Sequence, residues 1–398
     1  MSLIQNFRAL LPGIAICCFA FPGISVGQKC LLTGEFAYDD VVEVYSGPFT
    51  RLDRSDLLVL HLGGGLSLQN YDYTGAGLGM GTSMLALYSF DGAEFHRIWQ
   101  GRELIFDYSL PREYPISRLA WCCGDFDSDG RYSLVTCNVR EMWEYIFREQ
   151  SIEQNEGPRR KKIETPDVWI DQLIACDIDG DSCDELVALE YANLQDSSGT
   201  YHVGIYKIVD RSLVEIWRGL DGYVGENNEV VPPPSFISKC RIDGIPGEVP
   251  VLMGSQSDMS LSHFYVIGKG QTGDYEIFHP FPMPQISHLK KGERGAREEK
   301  ERLSRSNVGP VGGVIFNDGN KILHYGYFLD TNLPRQIGEK PDPNSFAILE
   351  NDHWRSVEKL DPLIGGSFCR FTLESGISGW LFIKGQKYLF YHILPLAY

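Results

Sequence analysis

The stretch that decides the fold is CDIDGDSCDELVAL, residues 176–189. Five carboxylates, Asp177, Asp179, Asp181, Asp184 and Glu185, fall within nine consecutive positions and run straight into Leu186, Val187, Ala188 and Leu189. Like charges about 4 Å apart repel by roughly 1 kcal/mol in water and about 4 kcal/mol near a protein surface. Such crowding needs a counter-charge. The short apolar run behind it reads as a strand, so the motif is an acidic turn feeding a strand.

Working outward, the same design recurs. GDFDSDGRYSLVTC from Gly124, CRIDGIPGEVPVLM from Cys240 and CRFTLESGISGWLF from Cys369 open on Gly or Cys, turn through Asp, Gly or Ser, and end apolar. FTRLDRSDLLVLHL from Phe49 and VIFNDGNKILHYGY from Val314 are relatives with shorter turns. Together these six runs recur roughly every 50 to 80 residues, a spacing that suits propeller blades or similar arrays. Several are followed by a hairpin signature, with nearly identical endings at Ile98-Trp99-Gln100-Gly101 and Ile216-Trp217-Arg218-Gly219. A strand before the turn, one after it and a hairpin make a four-stranded unit. One such sheet cannot bury both faces alone, but a ring of them can.

The expected fold is therefore all-β, a β-propeller of four-stranded blades. Six blades are expected, or seven if one hides in the long spacing between the first two repeats. VVEVYSG (41–47) resembles the outer-strand sequence LVEIWRG (213–219), so the N-terminal segment is expected to complete the last blade and close the ring. The competing assignment makes it the first strand of blade one. Residues 150–166, 221–235 and 287–306 break the pattern and read as loop excursions. No linker divides residues 28–398, which form one domain.

Lys plus Arg total 36 against 53 Asp plus Glu, a formal charge of -17. That balance argues against nucleic acid or an anionic membrane surface as the main partner. The N-terminus has one cation, Arg8, an apolar stretch from Ala9 to Val26 and small residues Ser25 and Gly27. Residues 1–27 read as a signal peptide cut after Gly27, placing the protein outside the cytoplasm as a secreted, periplasmic or cell-surface chain. The rival reading is an uncleaved membrane anchor, against which Pro12 and Pro22 count. Cleavage would leave eight cysteines and no CxxC pair, so the thiols read as packing residues, not a zinc or redox site.

In DIDGDSCDE, the side chains of Asp177, Asp179, Asp181 and Glu185 and the backbone carbonyl of Cys183 occupy positions 1, 3, 5, 9 and 7. The second loop matches them with Asp125, Asp127, Asp129, Ser133 and the carbonyl of Arg131. Hard oxygens in that number suit Ca²⁺, which takes about 6 to 8 of them at about 2.3–2.6 Å. Position 12 is Ala188 or Thr136, not the Glu an EF-hand needs, and a strand follows. These turns, each followed by Leu-Val, resemble the FG-GAP or VCBS repeats of integrin-alpha-type β-propellers. The resemblance implies one or two structural calcium ions and a role in extracellular adhesion or binding of a protein or glycan. Arg241 and Arg370 stand at position 1 of two other turns and disfavour a cation there.

Enzyme motifs are missing from the sequence. GAGLGMG (75–81) lacks both GxGxxG and a Lys-Ser/Thr ending, GISG (376–379) is one residue short of GxSxG, and the nine histidines form no HExxH. Trp99 and Trp217 read as packing on outer strands, and Tyr71, Tyr73, Tyr201 and Tyr223 as loop residues. A binding module is thus expected ahead of a polysaccharide-acting lyase or hydrolase, or an N-terminally anchored scaffold subunit.

Overall fold

The structure, a computed structural model, describes residues 30–36, 41–62, 83–103, 120–137, 141–154, 156–165, 169–192, 200–219, 234–255, 262–270, 272–278, 308–318, 321–330, 342–350, 353–356, 367–373, 375–384 and 386–391. The first strand, β1 (Cys30–Glu35), meets its partner only at the end of the chain. Blade one holds β2 (Val41–Gly47), β3 (Asp56–Leu62), β4 (Ser83–Phe90) and β5 (Phe95–Glu103). Blade two holds β6 (Ala120–Gly124), β7 (Ser133–Cys137), β8 (Met142–Ile146) and β9 (Arg159–Ile163), with the short helix α1 (Glu149–Glu153) between its last two strands. Blade three is β10 (Trp169–Cys176), β11 (Glu185–Ala192), β12 (Thr200–Val209) and β13 (Ser212–Gly219). Blade four is β14 (Pro234–Cys240), β15 (Val249–Ser255), β16 (Ser262–Lys269) and β17 (Tyr275–Phe278), and blade five β18 (Val308–Asp318), β19 (Lys321–Asp330), β20 (Asp342–Glu350) and β21 (His353–Ser356). A last four-stranded sheet orders β22 (Ser367–Thr372), β23 (Ser378–Lys384), β24 (Lys387–Tyr391) and β1. Every named neighbour pair is antiparallel.

The second strand of each blade explains the apolar runs. An antiparallel sheet with one wet face alternates apolar and polar residues, yet Leu57 to Leu60 and Leu186 to Leu189 are all buried. Successive side chains serve different neighbours. Leu57 and Val59 pack with Phe371 and Leu381 of the last sheet, while Leu58 and Leu60 pack with Leu134 of blade two. Leu186 and Ala188 face Val135 of blade two, and Val187 and Leu189 face Leu252 of blade four. At about 1.5–3 kcal/mol per buried Val or Leu side chain, the core lies between sheets stacked face to face. The first strands abut as well, β2 on β22, β6 on β10, β10 on β14, and β14 on β18. This is an all-β propeller of four-stranded antiparallel blades.

Backbone hydrogen bonds tie successive blades in a repeating register. The amide just before β7, β11 or β15 donates to the carbonyl just after the first strand of the preceding blade. The bonds are Tyr132 N to Pro48 O (3.1 Å), Asp184 N to Asp125 O (2.7 Å) and Glu248 N to Asp177 O (2.7 Å). At the next junction the Asn317 side chain takes over, donating from Nδ2 to Arg241 O at 3.0 Å.

Three expectations are corrected. Residues 41–47 form the first strand of blade one, pairing Val44 with Val59. The N-terminal strand that joins the C-terminal sheet is instead β1, which pairs with β24 from Cys30 opposite Tyr391 to Glu35 opposite Lys387. Residues 150–166 are no excursion, because they contain most of α1 and all of β9, which pairs Met142 with Ile163. The first repeat is in register from Gly47, the end of β2, and not from Phe49. Of the expected excursion at 221–235, Pro234 and Ser235 open β14; its other residues, the segments 1–27 and 287–306, Tyr71, Tyr73 and the 75–81 glycines lie outside the described residues. Trp99 and Trp217 do fall on fourth strands.

Candidate metal centre

The two acidic turns connect first and second strands in adjacent blades. Their conformation follows from two left-handed residues each, Ser128 (φ 56°) and Gly130 (φ 79°) in one, Gly180 (φ 76°) and Ser182 (φ 68°) in the other. Gly and Ser thus trade places at positions 4 and 6. Reversing the chain twice in this way turns positions 1, 3 and 5 toward one point. Asp125, Asp127 and Asp129 each place a carboxylate oxygen within 4.8 Å of the others, and Asp177, Asp179 and Asp181 do the same.

The turns are also wired by their own amides. Asp125 accepts from Asp129 N (3.1 Å) and Gly130 N (2.9 Å), and Asp181 accepts from Cys183 N (2.8 Å). Asp184 joins the two turns, because its Oδ2 accepts from Asp125 N at 2.7 Å. Burial pushes the Asp125 and Asp184 carboxyls above the ordinary carboxylate range. Gly124 is required where the turns meet, since a Cβ there would lie 2.5 Å from Ala175 Cβ. Gly247 of blade four presses on the Asp177 turn more tightly still, at φ +71° with a Cβ position 2.3 Å from Asp177 O.

Glu185 is fully buried and accepts from Ile178 N at 2.9 Å. Its other oxygen lies 2.9 Å from Lys207 Nζ, which is also 2.9 Å from Asp181 and 3.4 Å from Asp179. Lys269, from blade four, reaches Asp179 at 2.9 Å. Burial alone would lower the Lys207 ammonium, but its bonds to Glu185 and Asp181 raise it well above the usual range. For Asp179, burial raises the carboxyl, yet Lys269 and Lys207 hold it below its ordinary value. In the Gly124 repeat the counter-charges are Arg148 and Arg131, at 2.8 Å and 3.4 Å from Asp129. Ser133 Oγ donates to the buried Glu144 of β8 at 3.0 Å.

The same place in blade one has no acidic triad. Pro48 and Thr50 stand where blade two has Asp125 and Asp127. The buried Asp56, at the position of Ser133 and Glu185, accepts from Thr50 N at 2.9 Å and pairs with Arg54 at 3.3 Å. A tethered guanidinium neutralises that turn.

The donor chemistry of the two triads fits a hard divalent cation. Carboxylate oxygens converge, and Asp177 Oδ1 is buried without a hydrogen-bond partner. Sequence reasoning found both triads but missed Lys207, Lys269 and Arg148. Lys207 and Lys269 arrive from other strands and Arg148 from the residue that precedes α1, and only the strand pairing places Lys207 beside Glu185. Burial pushes the Cys240 and Cys369 thiols up to about 12 and Cys176 well above its ordinary value, so these are unreactive packing groups.

No protein-family model matches the chain. No curated protein matches it either. Among solved structures it is similar to the rhamnogalacturonan lyase YesW, with TM-score 0.42 and 10% identity over 94% of this chain and 75% of that one. It is also similar to the Dos1 propeller (TM-score 0.40, 10% identity, 92% and 95% covered) and to BBS1N in complex with ARL6DN (TM-score 0.40, 11% identity, 92% and 96% covered).

Proposed function

We propose that this is an exported, six-bladed propeller, closed by β1, whose acidic turns hold calcium and which serves as a recognition module for an extracellular protein or glycan. The observation that carries the metal reading is the pair of Asp triads at equivalent positions of adjacent blades. The ligands would be Asp177, Asp179, Asp181, Glu185 and the Cys183 carbonyl in one turn. Asp125, Asp127, Asp129, Ser133 and the Arg131 carbonyl would serve the other. Lys207 has to swing away before Glu185 can ligate. When bound, the ion supplies charge neutralisation, and the chain's own residues do the positioning through the left-handed residues and the Asp184 link.

A structural role suits this geometry. An ion held only by the folded state stabilises by about 2.7 kcal/mol at 100 times its dissociation constant. Recognition rests on the FG-GAP/VCBS resemblance, with fold alone never fixing function. Thermal unfolding with calcium and with chelator tests the metal: Asp179→Ala should remove most of the calcium-dependent rise in melting temperature. Identical melting of the parent protein in both solutions sinks the reading. A glycan array run beside a polysaccharide-degradation assay tests recognition against catalysis.

A further inference from the structure

We propose that the cleft between the acidic-type turns of blades one and two binds an oxyanion-bearing ligand, and that loading the Asp125 turn with calcium strengthens that binding. The inference rests on the calcium reading for its second half only. The cleft has a volume of about 560 Å³, inside the usual range for small-ligand sites. Its walls come from residues 50–53 of blade one, Arg131 of blade two and the segment 148–151 that opens α1. Arg51, Arg131 and Arg148 all line it, in a chain whose net charge is -17. A guanidinium offers a planar fork of donors that matches carboxylate or sulfate. Gln150 and Ser151 add amide and hydroxyl groups suited to a hydroxylated ligand.

Internal carboxylates now take the places that an external oxyanion would fill. Arg51 forks onto Asp53 at 3.0 and 2.8 Å and lies 3.4 Å from Glu149. Arg148 and Arg131 share one oxygen of Asp129, and Arg131 Nε is buried with no hydrogen-bond partner. Pairs this exposed contribute little to stability, so exchanging one carboxylate for another is cheap. Asp129 is the link. It belongs to the Asp125 triad and to the cleft wall at once. An ion that draws the Asp129 carboxylate toward the triad takes the partner from two arginines, and a ligand oxyanion replaces it. Coupling of this kind is reciprocal, so the ligand also tightens calcium.

The test is calorimetric titration of the intact protein with a hexuronate trisaccharide, a neutral trisaccharide and inorganic sulfate, each in calcium and in chelator. Heats of calcium with the saccharide alone are subtracted. The hexuronate should bind at least tenfold more tightly in calcium, and the neutral sugar should give no heat. Arg148→Gln and, on the opposite wall, Arg51→Gln should each weaken it at least tenfold, with Arg148→Lys retaining part. Sulfate binding with the same arginine dependence supports the site and identifies a small oxyanion as sufficient. No heat from either anion, or unchanged binding by both glutamine variants, overturns the cleft. Equal affinity in calcium and chelator, with the calcium-dependent melting shift intact, overturns the coupling. If that melting shift is itself absent, the metal reading has failed, and the titration in chelator alone decides the cleft.

Discussion

Replacing Lys207 by Met separates the tethered cation from the bound one. In the structure its ammonium sits 2.9 Å from the fully buried Glu185 and 2.9 Å from Asp181, whose side chain is 49% exposed. Removing one partner of a buried ion pair costs about 3–5 kcal/mol. The lower end applies, because Lys207 is itself 30% exposed and Lys269 continues to neutralise Asp179. The exposed half of the cluster adds only about 0–1 kcal/mol. Lys207→Met should therefore lose about 3 kcal/mol in chelator, which at about 2 °C per kcal/mol for a large domain is a drop of about 6 °C. Saturating calcium supplies the missing charge, so the loss should shrink to about 1 kcal/mol. The Met side chain keeps the aliphatic packing without competing for the carboxylates, so the dissociation constant for calcium should fall at least tenfold. Differential scanning fluorimetry with calcium and chelator measures the first quantity, and calorimetry the second. An equal loss of stability in both solutions would refute the reasoning, since Lys207 would then be the permanent counter-charge and not a stand-in.

Three further outcomes follow from particular residues. Gly247→Ala forces a Cβ to 2.3 Å from Asp177 O at a φ of +71°; a backbone that must shift against a neighbouring blade should cost about 3 kcal/mol or more in denaturant midpoint, and a neutral result contradicts the packing. Ser182→Gly removes the strain of a left-handed serine (φ 68°) and should raise stability by about 1 kcal/mol; a loss instead would mean that the hydroxyl carries a contact of its own. Asp91, in the β4–β5 turn, accepts from Glu94 N, Ala93 N and His96, and these bonds lower its carboxyl to about 2. A depressed folded-state value means that this stabilisation is present above about pH 4, the unfolded value, and is lost as pH falls toward 2. Asp91→Ala should flatten the melting curve's pH dependence in that window, and an unchanged slope would count against it.

Much of the architecture was legible because its signals are local. An acidic turn needs Asp, Gly and Ser at fixed offsets, and a strand buried on both faces carries a continuous apolar run, as Leu186 to Leu189 do. The two triads were legible for the same reason, since Asp recurs at positions 1, 3 and 5 of both turns, and in both the carboxylates converge around left-handed residues at positions 4 and 6. The strand β9 was not, because RRKKI (159–163) reads as solvated charge. As an outer strand it stays wet, and Arg160 lies over the Trp143 ring of the adjacent strand at 4.7 Å.

The sequence by itself determined the repeating four-stranded unit, the place of each acidic turn and the oxygen chemistry within it, since all of these depend on residues a few positions apart. Only the tertiary structure decided which N-terminal strand pairs with β24, because VVEVYSG and CLLTGE can both form strands and the choice depends on which sheet edge is free. It also decided what neutralises the turns. Lys207 and Lys269 come from other strands, the second from the next blade, and Arg148 from the residue that precedes α1. Charge–charge energy depends on distance through space, which the order of residues along the chain does not record.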